Sequence, residues 1–249
     1  MNIRQQHFVR PVGATLLMAS VVWVAGCGGG GGGGGGGNGT SMVSIAGTAA
    51  TGKALANATI NIDCARGSMS VAADANGNFH ATLGAAMPCM IAATSGVTML
   101  HSVAFTGGTY NVTPETDLLV SYLAAQLGTN ETGLIAGFAV NSQFQQVLAN
   151  QTNVLTAQAA VVQNLQQTYG VTLSAPNFLT TAFAAGQPGE DSDLEALLGR
   201  GAIDANGEPD AAAVALMATT GAAHPIATSP NSSTGGTGVG GIGSSGGMM

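Results

Sequence analysis

Charge is what this sequence has least of. Charged residues make up only 7% of the 249-residue chain, so solubility has to come from the amides and hydroxyls of Asn, Gln, Thr and Ser. Two of the five cations, Arg4 and Arg10, precede Cys27. The rest of the chain sets Lys53, Arg66 and Arg200 against twelve acids. That balance excludes electrostatic binding of nucleic acid or of an anionic lipid surface, since no basic patch can form.

Recognisable catalytic patterns are missing too. His80 alternates outward from Phe79 and Ala81, His101 lies in a predicted strand, and His224 precedes Pro225 in a predicted loop. None stands beside a nucleophile motif such as Gly-x-Ser-x-Gly. Asp204, Asn206, Glu208 and Asp210 surround Gly207 but lack the acid that closes a calcium loop, and Pro209 marks the segment as a helix-starting turn. Asp74, Asn76 and Asn78 read as a turn, and Glu190, Asp191 and Asp193 as charges at a helix N-terminus. No catalytic residue, metal ligand or cofactor is assigned, and the chain is expected not to be an enzyme.

The clearest signal is N-terminal. Arg4 and Arg10 precede an apolar stretch from Val12 to Val24, too short for a comfortable transmembrane helix but suited to a signal segment. It closes on Val24-Ala25-Gly26-Cys27, and glycine runs unbroken from Gly28 to Gly37. The four residues resemble the lipobox of bacterial lipoproteins. The resemblance implies cleavage before Cys27 and acylation of its thiol and amine. Each buried methylene contributes about 0.8 kcal/mol, so several chains give stable anchoring. With Gly28 rather than aspartate after the cysteine, it also implies the outer membrane. The glycine tract reads as a flexible tether.

From Met42 the pattern has period two. Val43, Ile45 and Gly47 alternate with polar partners, as do Ala58, Ile60, Ile62 and Cys64, then Met69, Val71 and Ala73, then Phe79, Ala81 and Leu83. Further strands are predicted over 89–94, 97–105 and 109–112. Asn76-Gly77 is a hairpin signal, because both residues tolerate positive φ. Ile45-Ala46-Gly47-Thr48, Gly52 with Leu55-Ala56-Asn57-Ala58-Thr59-Ile60, and Asp74-Ala75-Asn76-Gly77-Asn78-Phe79 are similar to the carboxypeptidase-regulatory-like, or transthyretin-like, β-sandwich family. That resemblance implies a rigid antiparallel sandwich over residues 42–112 with no catalytic site of its own. Three cysteines leave one over in an oxidising compartment. With Cys27 acylated, Cys64 and Cys89, both in phase with inward positions, form either a disulfide or two buried thiols. The disulfide is preferred, and closing its loop of about 25 residues is worth about 3 kcal/mol.

Thr113-Pro114-Glu115-Thr116-Asp117 changes the period to helical. Threonine caps, proline suits the first helical position and acids suit the first turn. Leu119, Leu123 and Leu127 follow at four-residue spacing, and Gly128 ends the run. A short helix is predicted near 134–138. Asn141 opens the longest run, with Val147/Leu148, Val154/Leu155 and Val161/Val162 returning every seven residues until Gly170. Ser174-Ala175-Pro176 is predicted to start a helix carrying Phe178, Leu179 and Phe183. Ser192 and Glu195 match a capping box, and Pro209 leads into an alanine-rich helix.

The resulting expectation is an α+β chain of two modules. Residues 1–26 form a lipoprotein signal peptide, 27–41 the lipidated cysteine and tether, 42–112 the sandwich, 113–227 a small helical bundle, and 228–249 a disordered Gly/Ser-rich tail. The function expected is a non-enzymatic outer-membrane lipoprotein, facing periplasm or cell surface, that binds or scaffolds an envelope protein or glycan. The alternatives are an envelope enzyme, or a small-ligand carrier with a cavity lined by Phe144, Phe178 or Phe183.

Overall fold

Strand β4 (Asn78–Ser95) organises the sheet because its two halves have different neighbours. The first half pairs antiparallel with β1 (Ser41–Thr48), from Thr48↔Asn78 to Ser41↔Ala85. The second half lies between β2 (Thr59–Arg66) and β5 (Thr98–Ala104). These assignments come from a computed structural model that describes residues 40–227. Cys27, the glycine tract and the C-terminal tail lie outside the described residues.

The sheet has six strands in the order β3-β2-β4-β1-β6, with β5 on the free side of β4. β3 (Ser68–Ala72) is the edge beyond β2, and β6 (Gly108–Thr109) joins β1 in parallel. The sheet is therefore mixed rather than purely antiparallel, and the strand predicted over 109–112 shrinks to β6 plus an isolated bridge from Val112 to Ala49. The strands predicted separately over 79–83 and 89–94 are one strand, crossing a cis Met87–Pro88 bond. Asp74 Oδ1 accepts from the backbone N–H of Asn76 and of Asn78, which makes the predicted turn. The turn does not close a hairpin, because it joins β3 to β4 and both flank β2.

Burial follows from these neighbours. Phe79, Ala81, Leu83 and Ala85 point inward at alternate positions along the first half of β4. Cys89, Met90 and Ile91 are buried consecutively, so both faces of that end of the sheet are covered. Cys64 and Cys89 are cross-strand partners and form a disulfide.

Six helices follow among the described residues: α1 (Pro114–Gln126), α2 (Glu131–Gly137), α3 (Ser142–Ala149), α4 (Gln151–Tyr169), α5 (Glu190–Gly199) and α6 (Ala211–Ala222). The run predicted as one helix from Asn141 is two. Asn150 leaves helical geometry at ψ 103°, and its side chain accepts from the N–H of Thr152 and Asn153, restarting the chain as α4. Gly170 ends α4 at φ 68°, a left-handed position that glycine takes without a Cβ penalty. The helix predicted from Ser174 is absent. Its backbone groups are taken elsewhere, Ser174 and Ala175 N–H by Asp193 and the Phe178 and Thr181 carbonyls by Asn111. The Ser192/Glu195 capping box does not form either. α5 starts three residues earlier than a Ser192 cap implies, behind Gly189, and has no side-chain cap.

α1 carries its leucine repeat, yet every residue from Pro114 to Ala125 is buried rather than one stripe. It packs against β5, α2, α4 and α6 at once. Strand residues such as Ile45, Ile60 and Leu100 belong to the same hydrophobic cluster as Leu118, Leu123, Val161 and Met217. The expected boundary at 112/113 falls inside that shared core, and the described residues belong to one compact unit. No described helix is long and apolar enough to cross a membrane.

Candidate functional site: a buried acidic layer around α1

A helix enclosed on every side takes its polar residues inside with it. The first turn of α1 therefore places Glu115, Thr116 and Asp117 in the interior, with Ser121 one turn on. Thr113 caps the helix. Its side chain accepts from Thr116 N–H while its own N–H donates to Thr116 Oγ1. Thr116 Oγ1 also donates to the carbonyl of His101 at 2.8 Å.

That contact belongs to a set that closes the outer edge of β5. The even residues of β5 face β4, so the backbone groups of Met99 and His101 point away from the sheet. His101 N–H donates to Asp117 Oδ1 at 2.6 Å, and Met99 N–H to Glu208 Oε1 at 2.9 Å. Side-chain carboxylates thus satisfy an edge that another strand would otherwise pair with.

On this frame sits a cluster of three ionisable side chains from β5, α1 and α2. His101 Nδ1 is 2.9 Å from Asp117 Oδ1 and 2.9 Å from Glu131 Oε1. Ser121 Oγ donates to the other oxygen of Glu131. Side-chain exposure is 13% for His101, 10% for Asp117 and 21% for Glu131, so the cluster is sheltered but reachable from solvent. These are the ion pairs among the described residues. Burial alone would lower the pKa of His101, but hydrogen bonds and charge from Asp117 and Glu131 outweigh it and push the imidazole up to about 9. One imidazolium cannot neutralise two carboxylates, and the pair divides. Burial raises the enclosed Asp117 to about 7. For the more exposed Glu131 the hydrogen bonds from His101 and Ser121 overcome burial and hold it below the usual range.

A second acidic group lies at the start of α5. Glu115 is fully buried, Glu190 is 1% exposed and Asp193 6%. Asp193 is satisfied by the N–H groups of Ser174 and Ala175 and the Ser174 hydroxyl. Glu190 accepts from Asn111 Nδ2 at 3.2 Å, and the same amide donates to the carbonyls of Phe178 and Thr181 at 2.8 and 2.7 Å. Glu115 accepts from Thr113 through Oε2 and has no partner for Oε1. Burial, reinforced by the Asp193 charge, raises Glu115 to about 8. Burial and the charges of Glu115 and Asp193, against the hydrogen bond from Asn111, raise Glu190 to about 10. Both carboxyls are mainly protonated at neutral pH, which removes most of the cost of burying them without a cation.

The residues singled out by sequence are distributed differently. Asp204 Oδ1 accepts from the N–H of Asn206 and Glu208, and Asp210 caps α6, as a helix-starting turn requires. His80 is exposed and hydrogen-bonds to Ser44, and His224 lies near the end of α6 with Nδ1 against the Thr220 carbonyl. Phe178 belongs to the core cluster, and Phe144 is half-buried against that cluster. Phe183 borders a cleft of about 440 Å³ that Asn177, Thr181 and Glu190 also line. His101 was visible in sequence as a strand histidine and Asp117 as an ordinary first-turn acid, whereas Glu131 precedes the helix expected near 134–138 and carried no signal. The packing of α1 on β5 and of α2 on α1 brings the two acids to His101. No protein-family model, curated protein or solved structure matches the chain.

Proposed function

We propose that this chain is a non-enzymatic lipoprotein of the bacterial outer membrane. Acylated Cys27 anchors it, the glycine tract acts as its tether, and the folded unit is presented to the periplasm or cell surface to bind or scaffold an envelope protein or glycan. The observation that carries the reading is the Cys64–Cys89 disulfide. A buried cross-strand disulfide fits an exported protein, and it accounts for two of the three cysteines. Cys27, at the end of Val24-Ala25-Gly26-Cys27, is then the thiol left for acylation. The small residues before it and the apolar segment from Val12 to Val24 support the same reading. A transthyretin-like relation of the strand half belongs to this proposal. Its support is the alternation along β1, β2 and the first half of β4 and the Asp74–Asn78 turn.

The test is membrane fractionation with radiolabelled palmitate. Cys27→Ala is expected to abolish labelling and to leave the protein soluble or as an unprocessed precursor. Undiminished labelling of Cys27→Ala would overturn the proposal.

A further inference from the structure

We propose that His101, Asp117 and Glu131 form a binding site for one divalent transition-metal ion of the zinc class. Each of the three offers one ligand atom, and these atoms lie within 4.8 Å of one another. The shortest separations, 2.9 Å from Nδ1 to each carboxylate oxygen, are close to the spacing of ligands around a bound ion. With metal–ligand bonds near 2.0–2.2 Å in a tetrahedral site, neighbouring ligand atoms stand about 3.3–3.6 Å apart. An ion therefore requires each Nδ1–carboxylate pair to open by about half an ångström.

A dication replaces the proton of His101 and any proton held by Asp117. With both carboxylates ionised and His101 protonated, the cluster holds one positive charge against two negative ones. With His101 neutral and a dication in place, the cluster is balanced. Among the described residues no Lys or Arg makes a salt bridge that could supply the missing charge.

The surroundings already hold the donors as metal sites do. Asp117 Oδ1 is fixed by the backbone N–H of His101, and Glu131 by Ser121, a supporting shell of the kind that orients ligating carboxylates. The three donors come from β5, α1 and α2, so the geometry rests on packed elements rather than on a loop. Partial exposure leaves a path for the ion and room for a water as fourth ligand. One imidazole with two carboxylates suits zinc and its neighbours, whereas calcium and magnesium favour all-oxygen sets.

The experiment uses the full chain, purified in detergent and stripped with chelator. Titration with zinc ions, followed by calorimetry, is expected to give one site per chain. Cobalt(II) is expected to give visible absorption bands of low-coordinate geometry that zinc abolishes and excess calcium does not. Glu131→Gln, at the most exposed of the three donors, should keep the circular dichroism of the parent and weaken zinc binding about 10–100-fold. His101→Gln should remove the cobalt bands. Absence of a stoichiometric site would overturn the proposal, as would zinc binding that Glu131→Gln leaves unchanged in a folded protein. If His101→Gln does not fold, the Nδ1 resonance of His101 in the parent chain decides. It shifts on zinc addition if the site is real and stays in place if it is not.

Discussion

Glu190 shows how a single buried carboxyl ties stability to pH. It sits at the start of α5, facing Glu115, Asp193 and the Asn111 amide, with 1% of its surface exposed. Burial and the two acidic neighbours raise it to about 10, above the ordinary value of 4.5. An acid whose folded pKa is raised binds its proton more tightly when folded. Its contribution is fully present below the ordinary pKa and is lost as pH rises toward the folded one. The stability of the chain should therefore fall between about pH 5 and pH 10. Glu190→Gln keeps the size and the acceptor for Asn111 but cannot ionise. It should be more stable than the parent at pH 9, by several degrees in Tm, with little change at pH 5. Thermal melts across that range check it, and parallel pH profiles for the two proteins would refute it. The sequence displays Glu190, Asp191 and Asp193 as helix-start charges and shows nothing of this coupling. Their contact with Glu115 and Asn111 spans about 80 positions, which no local pattern records.

Among the elements, α1 is both the most legible and the most altered by context. Thr113, Pro114 and the first-turn acids place its start, and the leucine repeat places its helical character. Its burial on every face comes from the arrival of α6 a hundred residues later, and the sequence around α1 carries no mark of that. The approach is closest at Gly221, where an added Cβ would lie 2.5 Å from the Tyr122 carbonyl oxygen and 2.9 Å from the Ala125 methyl. Glycine inside a helix ordinarily costs about 1 kcal/mol against alanine, so on an exposed face the replacement would stabilise. Here the backbone contact opposes it. Gly221→Ala is expected to lose about 1–3 kcal/mol through overpacking, seen as a lower urea midpoint. Gly199→Ala, with nothing within 4 Å of the added carbon, should be neutral or stabilising. A Gly221→Ala midpoint at or above the parent's would mean that the two helices can separate without cost. The same dependence on distant partners bears on the missing helix predicted from Ser174, since Asn111 takes the Phe178 and Thr181 carbonyls that a helix would use.

For the whole molecule the question is where folding stops being local. The period of the sequence changes from two to helical at Thr113, and that change is real in the structure, but it marks a change of element and not an end of the core. β5 depends on α1 and on the 204–208 turn to satisfy its outer edge. Asn111 fastens the end of the strand region to the turn at 178–181 and to α5. Residues 42–112 alone would uncover the part of β5 on which α1 packs and leave its outer edge open. Residues 113–227 alone would leave Asp117 and Glu131 without His101, and α1 without the sheet. Each half would thus lose apolar burial and gain unpaired polar groups, at about 25 cal/mol per Å² for the first and about 1–3 kcal/mol per group for the second. Neither loss is affordable against a net stability of about 5–15 kcal/mol. Expressed separately, the two halves should show poor amide dispersion and no cooperative urea transition, while the full chain unfolds in one step. Coexpression should restore the fold to the extent that the halves find one another. A cooperative transition in residues 42–112 on their own would instead establish the strand region as a module that folds without α1, and would turn the contacts between β5 and α1 into a domain interface.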